Sequence, residues 1–216
     1  MFYLSCHPKT YNLLISLSLV VVNMGSERAE QQKHHPAILS KEGTALVVVD
    51  VQEKLLPYVK DKEKITENLQ MLIKFAYIMG IPIILTEHYP KGLGRTVPQI
   101  KEVLKDYKPI EKVIFSCFGS EKFKSKLKEL GVKRMMLSGI ESHICIEQTA
   151  LDALDAGYEV HVIADAISSR TPRNLEIGIE KTRQFGAVIS STEMAMYEIM
   201  ERADTKEFKE ILKLVK

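Results

Sequence analysis

Cysteine is scarce in this chain. Its three residues, Cys6, Cys117 and Cys145, cannot all pair with one another, and no CxxC spacing links any of them. A disulfide scaffold and a cysteine zinc site are therefore excluded, and a reducing, cytoplasmic compartment is the expectation. Charge of one sign is lacking too: 30 Lys+Arg against 28 Asp+Glu leave a net +2. Without a basic field there is no footprint for nucleic acid, and none is expected as a partner. The histidines form no HxxxH pair, and neither GxGxxG nor GxxxxGK followed by Ser or Thr occurs, so the common phosphate-cradling loops are missing. The apolar run Leu13–Val22 is about half of the ~20 residues a membrane span needs, so no membrane partner is expected.

That run, LLISLSLVVV, follows a single lysine, Lys9, and precedes VNMGSE, which offers no small-x-small cleavage site. Residues 1–23 fit a targeting segment, a disordered tail, or sequence upstream of a true start at Met24. Ser26–Lys41 is polar. Residues 1–42 are read as an extension or leader outside the fold, and 43–216 as one domain. A chain that is 45% hydrophobic and 27% charged can bury a substantial core.

From Thr44 onward, strand-like and helix-like segments alternate. Thr44–Val51 is a β-branched apolar run that includes a carboxylate, Asp50. A continuously apolar strand suits a parallel sheet covered on both faces. Ile65–Met79 has helical spacing, and Ile81–Glu87 reads as the next strand. A polar loop, His88–Pro98, leads to a short helix near Gln99–Lys105, then a possible strand at Lys112–Ser116. Glu121–Leu130 is helical, Arg134–Gly139 a strand and Ser142–Ala156 a helix. Glu159–Asp165 and Ala187–Ser190 are strands around a helix at Arg173–Phe185. Two helices, Thr192–Arg202 and Thr205–Val215, close the chain. This order predicts a single doubly wound, Rossmann-like α/β domain with a six-stranded, mainly parallel sheet and helices on both faces. Ligands bind such sheets outside the strand C-termini, near a switch in strand order.

The residues at those ends are Asp50, Thr86-Glu87-His88, Lys112, Gly139-Ile140-Glu141, Cys145 and Asp165. Asp50 by itself fits a loop-capping role as well as a chemical one. A receiver-type phosphorylation site would need an acidic cluster, and VVVDVQ supplies one carboxylate. Cys117, in FSCF, reads as core packing. Cys145 falls in the first turn of a helix after a strand, where amides and the helix dipole favour an anion and would lower a thiol's pKa. It fits a nucleophile and an inert core thiol about equally. His143, two residues away on a helix, faces elsewhere, so Asp50 is the sounder base.

The segments ALVVVDVQEKLLP, TEHYPKGLGRTVPQI, EKVIFSCF, SGIESHICIEQTALDALDAGYEVHVIADAISSR and FKEILKLVK resemble isochorismatase-like cysteine hydrolases, in particular the isochorismatase domain-containing subgroup. The resemblance runs from about Thr44 to Lys216. It implies a triad of Asp50, Lys112 and Cys145, and a cis peptide at Ile140–Glu141 that turns the Glu141 amide toward the Cys145 amide as an oxyanion hole. It implies a small-molecule substrate, contacted by residues such as Gln52, His88, Tyr89, Arg95 and Ile140, and a homo-oligomer. An Arg95 contact would make that substrate anionic. Ser168 and Arg170 are weaker rim candidates, because a helix start at Thr171-Pro172 explains most of that stretch.

Nicotinamidases of the superfamily hold a metal with an aspartate and two histidines. Here the corresponding loop has Glu87 and His88, so neither metal nor other cofactor is expected. Enzymes that cleave isochorismate typically lack the cysteine, so Cys145 argues for amide or related C–N chemistry through a thioester. The competing reading is a silent member of the fold acting as an interaction partner or scaffold. A redox-sensing thiol would need a resolving cysteine, and none is near Cys145 in sequence. Met194, Met196, Ile199 and Met200 fit either an interface or core packing.

Overall fold

A computed structural model describes residues 34–215. The readings made for residues 1–23 lie outside the described residues. Leu39–Lys216 forms one compact unit.

Six strands build the sheet: β1 (Thr44–Val49), β2 (Ile83–His88), β3 (Ile110–Lys112), β4 (Arg134–Ile140), β5 (Glu159–Ser168) and β6 (Val188–Ser190). They pair in the order β3-β2-β1-β4-β5-β6, all parallel. The helices are α1 (Lys62–Met79), α2 (Pro90–Leu93), α3 (Pro98–Lys101), α4 (Glu121–Glu129), α5 (Glu147–Asp155), α6 (Pro172–Gln184), α7 (Thr192–Met200) and α8 (Lys206–Ile211). Among the described residues, no helix is long and apolar enough to cross a membrane.

The apolar run of β1 follows from its central place. Leu46 and Val48 join one buried cluster with α1, α7 and α8, while Ala45, Val47 and Val49 join another with α4 and α5. Successive side chains of a strand point to opposite faces, so a strand covered on both faces has no place for a polar residue. Met196, Ile199 and Met200 pack into the first cluster, while Met194 is exposed.

The chain crosses from β1 to β2 on one side and later returns to β4 on the other. The switch in strand order thus falls between β1 and β4, and Asp50 and Glu141 leave the sheet side by side. At Gly139 the two strands come unusually close: it has φ +110°, and a Cβ there would stand 2.1 Å from Val49 O. Only glycine fits this register, in which Val49 faces Gly139.

Several boundaries differ from the sequence reading. The strand expected at Lys112–Ser116 is Ile110–Lys112, because β3 is an edge pairing only with β2. Beyond it the chain leaves the sheet, with Val113 73% exposed. The helix near Gln99–Lys105 is the shorter α3. The helix expected from Ser142 starts as a wide π turn, Ser142–Ile146, and becomes α-helical only at Glu147. β5 runs past Asp165 to Ser168. Asp165 Oδ1 there accepts from the Thr192 N–H (2.7 Å) and hydroxyl (2.9 Å), and it holds α7 rather than facing a ligand.

Candidate active site

Asp50 follows β1 in a left-handed conformation (φ 52°), and its N–H donates to Thr86 O across the sheet (3.2 Å). Its carboxylate is fully buried. The Thr86 hydroxyl donates to Oδ1 at 2.7 Å and Lys112 Nζ to Oδ2 at 2.6 Å. Thr86 is opposite Val49 in the β1–β2 register and Lys112 opposite His88 in β2–β3. Three adjacent strand ends therefore deliver the three side chains to one point. Lys112 also donates to Phe115 O at 2.9 Å, which folds the post-β3 loop back over it.

Cys145 lies in the π turn, buried, near enough to Asp50 for the carboxylate's charge to act on its thiol. The Ile140–Glu141 peptide is cis. Glu141 O accepts from Ile144 N–H (3.1 Å) and Ile146 N–H (3.2 Å), and the Glu141 carboxylate holds Arg170 through its backbone N–H (3.0 Å) and Nε (3.1 Å). Gly178 of α6 presses on the same turn: a Cβ there would lie 2.6 Å from Ser142 Oγ.

The electrostatics correct one expectation. Helix amides were expected to lower the thiol pKa of Cys145. Instead burial raises it far above the ordinary value, and the Asp50 charge adds to that, with Lys112 only partly offsetting them. For Lys112, burial is the largest influence and works against the charged form. Attraction to Asp50, Cys117 and Cys145 and the hydrogen bond to Asp50 together outweigh it, and the pKa ends up raised. The resting arrangement is a neutral thiol beside a buried Lys112–Asp50 ion pair.

A pocket of about 420 Å³ opens onto Cys145. Leu55, Tyr58, Leu93, Phe115 and Ile144 supply apolar wall. His88 joins them, its ring 5.1 Å from that of Phe115 at 31°. Burial and the neighbouring Lys112 hold the imidazole pKa below its usual value, and its Nδ1 has no hydrogen-bond partner. Lys54, Glu141 and Arg170 complete the lining.

Of the five side chains read as substrate contacts, His88 alone lines this pocket. Gln52 is buried and clamps a loop: its Nε2 donates to His88 O (3.0 Å) and Gly94 O (2.7 Å), and its Oε1 accepts from the His88 N–H (2.7 Å). Ile140 packs into the core. Tyr89 belongs to a separate recess with Lys91 and Val113. Arg95 is drawn away by Glu87 (3.0 Å) and Glu111. Ser168 donates to Lys60 O (2.8 Å), while Arg170 reaches the pocket. The walls at Leu55, Tyr58, Leu93, Phe115 and Ile144 were missed. Isolated apolar side chains spread over separate short segments carry no sequence signal that distinguishes a pocket wall from packing.

Glu87 is saturated by the Thr96 N–H (2.7 Å), the Thr96 hydroxyl (2.8 Å), Tyr107 and Arg95. Burial favours its neutral form, but those donors together keep its pKa below the usual value. Among the described residues no group of three or more His, Cys, Asp or Glu is placed to hold a metal ion. His143 contacts Ser169 Oγ (2.9 Å) and Asn174 (3.3 Å), away from the thiol. Cys117, fully buried, is tied through its N–H to Thr149 Oγ1 (2.9 Å), one helical turn past Cys145. Its thiol is pushed up to about 11 by burial and by Asp50.

A six-stranded parallel sheet with a charged cluster and a cysteine at its switch point defines an α/β fold of the isochorismatase kind. The isochorismatase domain profile matches residues 44–194, and the chain belongs to that family. It is 39% identical over 178 residues to isochorismatase domain-containing protein 2 of Danio rerio, covering 82% of this chain and 89% of the relative. Among solved structures it is similar to the MAR1 ribonuclease of Caenorhabditis elegans (38% identity, TM-score 0.77, covering 82% and 91%). It is also similar to YcaC of Pseudomonas aeruginosa, solved with hexane-2,5-diol and covalent acrylamide (25% identity, TM-score 0.78, covering 84% and 93%).

Proposed function

We propose that this protein hydrolyses a small-molecule amide or related C–N bond through Cys145, Asp50 and Lys112. The observation that carries the reading is a buried carboxylate paired with a lysine and acting electrostatically on a cysteine thiol that lines a pocket. Asp50 takes the thiol proton as sulfur bonds to the carbonyl carbon, and Lys112 steadies the negative charge near the carboxylate and sulfur. The amides of Glu141 and Cys145 hold the oxyanion. The C–N bond then breaks, Asp50 returns the proton to the leaving amine, and Cys145 is left as a thioester. Water attacks this thioester with Asp50 again as base, which releases the acid and restores the thiol.

A raised thiol pKa suits this order of events, because the thiolate forms only as the proton moves to Asp50. The covalent acrylamide on the Pseudomonas relative supports a reactive nucleophile in this fold. The exposed Val113, Ile114 and Phe115 beside the site support self-association, and two buried free thiols support a reducing, cytoplasmic setting. The function is tested with a panel of amides, hydroxamates and nicotinamide, run beside Cys145→Ala and Asp50→Asn. Loss of turnover in both variants is expected; full turnover in either rejects the mechanism. RNA belongs in the same panel, since one relative is named a ribonuclease. If nothing is turned over, the scaffold reading gains.

A further inference from the structure

Among the described residues, the lysine and arginine cations lining the pocket are Lys54 and Arg170, and neither is buried. The buried Lys112 does not line it and is held by Asp50 Oδ2 and Phe115 O. Arg170 Nε lies 3.1 Å from Glu141 Oε2, so its charge offsets a buried carboxylate. Lys54 is exposed and donates to Gly92 O at 3.0 Å. Arg95, the natural candidate for recognising an anion, is engaged by Glu87 and Glu111 and does not line the pocket. His88 lacks the charge to stand in, since burial and Lys112 both disfavour its protonation. An anionic substrate group placed beside Cys145 would lie near Glu141 and the Asp50 charge among apolar walls, with no unengaged buried cation among the described residues to receive it. Burying a charge without a partner is strongly unfavourable, whereas burying an apolar acyl group is favourable.

We propose that the substrate is an uncharged amide with an apolar acyl group, aromatic or short aliphatic, and that the pocket rejects carboxylate-bearing analogues. The acyl group contacts Leu55, Leu93, Phe115 and Ile144, with its carbonyl at Cys145. This deepens the amide-hydrolase reading and rests on it for the chemistry, though the pocket's charge preference stands apart from turnover.

Two measurements on the full chain test it. The first compares kcat/KM for benzamide and isovaleramide with that for succinamate, an anion of similar size. The uncharged amides are expected to be favoured about a hundredfold or more, as desolvation of an unpaired charge demands. The second reads alkylation of Cys145 by mass spectrometry with iodoacetamide and iodoacetate, each rate divided by that of glutathione at the same pH. Iodoacetamide is expected to lead about tenfold or more after that correction. Phe115→Arg, which adds a cation to a half-exposed wall, is expected to narrow both gaps. Succinamate or iodoacetate equal to or faster than its uncharged counterpart overturns the inference. If no amide is turned over but iodoacetamide still leads, the amide-hydrolase reading has failed while the charge preference holds.

Discussion

Lys112 Nζ lies 2.6 Å from Asp50 Oδ2, with both side chains within 1% of complete burial. Neither charge has water to fall back on. Removing one partner strands the other, and breaking a buried pair in this way costs about 3–5 kcal/mol. Lys112→Met is therefore expected to lower urea-unfolding stability by that order. The double variant Lys112→Met/Asp50→Asn is expected to recover part of it, since no bare charge remains. A double variant no more stable than Lys112→Met would show that the pair contributes little beyond its separate contacts.

In the proposed mechanism Asp50 takes the thiol proton, yet its charge opposes the resting thiolate. Its negative charge raises the Cys145 pKa, after burial itself. Asp50→Asn removes that repulsion and leaves Lys112 unpaired nearby, so the thiolate should form at lower pH. The pH midpoint of Cys145 labelling by iodoacetamide is expected to fall in this variant even as turnover is lost. Labelling at Cys145 should precede that at Cys117, because Cys145 lines the pocket and Cys117 is fully enclosed. An unmoved or higher midpoint would mean that burial alone sets the thiol.

Thr86 holds Asp50, the proposed base. Its hydroxyl is 2.7 Å from Asp50 Oδ1, and Thr86→Val keeps the shape while removing the donor. Stability is expected to fall by about 1–3 kcal/mol, the cost of leaving a buried acceptor short of a partner. kcat should drop while KM holds, because the residue touches Asp50 rather than the pocket. Thr86→Ser, which restores the donor, should recover kcat; failure to do so would assign Thr86 to packing alone.

His161 gives the fold an acid sensitivity unrelated to the site. It is buried in β5, its Nδ1 has no hydrogen-bond partner, and its pKa is lowered to about 4, chiefly by burial. The unfolded chain binds this proton near pH 6.5 and the folded protein only near pH 4, so the unfolded state holds more protons between those values. Stability contributed by the neutral ring is complete above pH 6.5 and declines as pH falls toward 4. The difference in melting temperature between the wild type and His161→Leu should change with pH across that window. A constant difference would remove His161 as the source.

Gly178 sets how closely α6 approaches the turn that carries Cys145. A methyl group there meets Ser142 Oγ at 2.6 Å and Ser142 O at 2.8 Å, so Gly178→Ala must push helix and turn apart. Overpacking of this kind costs about 1–3 kcal/mol. Turnover should fall at least tenfold, more than the stability loss explains, since Cys145 moves with the turn. Unchanged turnover would show that the turn can yield without losing its geometry.

Much of the fold was legible in the chain. TALVVV announced a strand buried on both faces, and the alternation of strand and helix carried the parallel sheet with it. Boundaries slipped where neighbours, not propensity, decide. VIFS is β-branched and aromatic enough for a strand, but β3 has a partner on one side only, and the chain turns away after Lys112. Asp165 looked like a strand end, yet β5 continues because Ile167 and Ser168 pair with Gly139 and Ile140 of β4.

The sequence by itself determined the sheet, the strand-end position of Asp50, and the separation of Cys145 at a helix start from Cys117 within apolar neighbours. Those properties are local: they follow from side-chain periodicity and from which residues flank a strand. Only the tertiary structure decided who partners whom. Asp50, Thr86 and Lys112 are brought together by parallel register across three strands, and Cys117 is fastened through Thr149 to the helix that follows Cys145. Arg95 was one basic residue in a promising loop until Glu87 and Glu111 closed on it. Charge compensation depends on distances and burial that no linear spacing specifies, and here it leaves the pocket without an unengaged buried cation among the described residues.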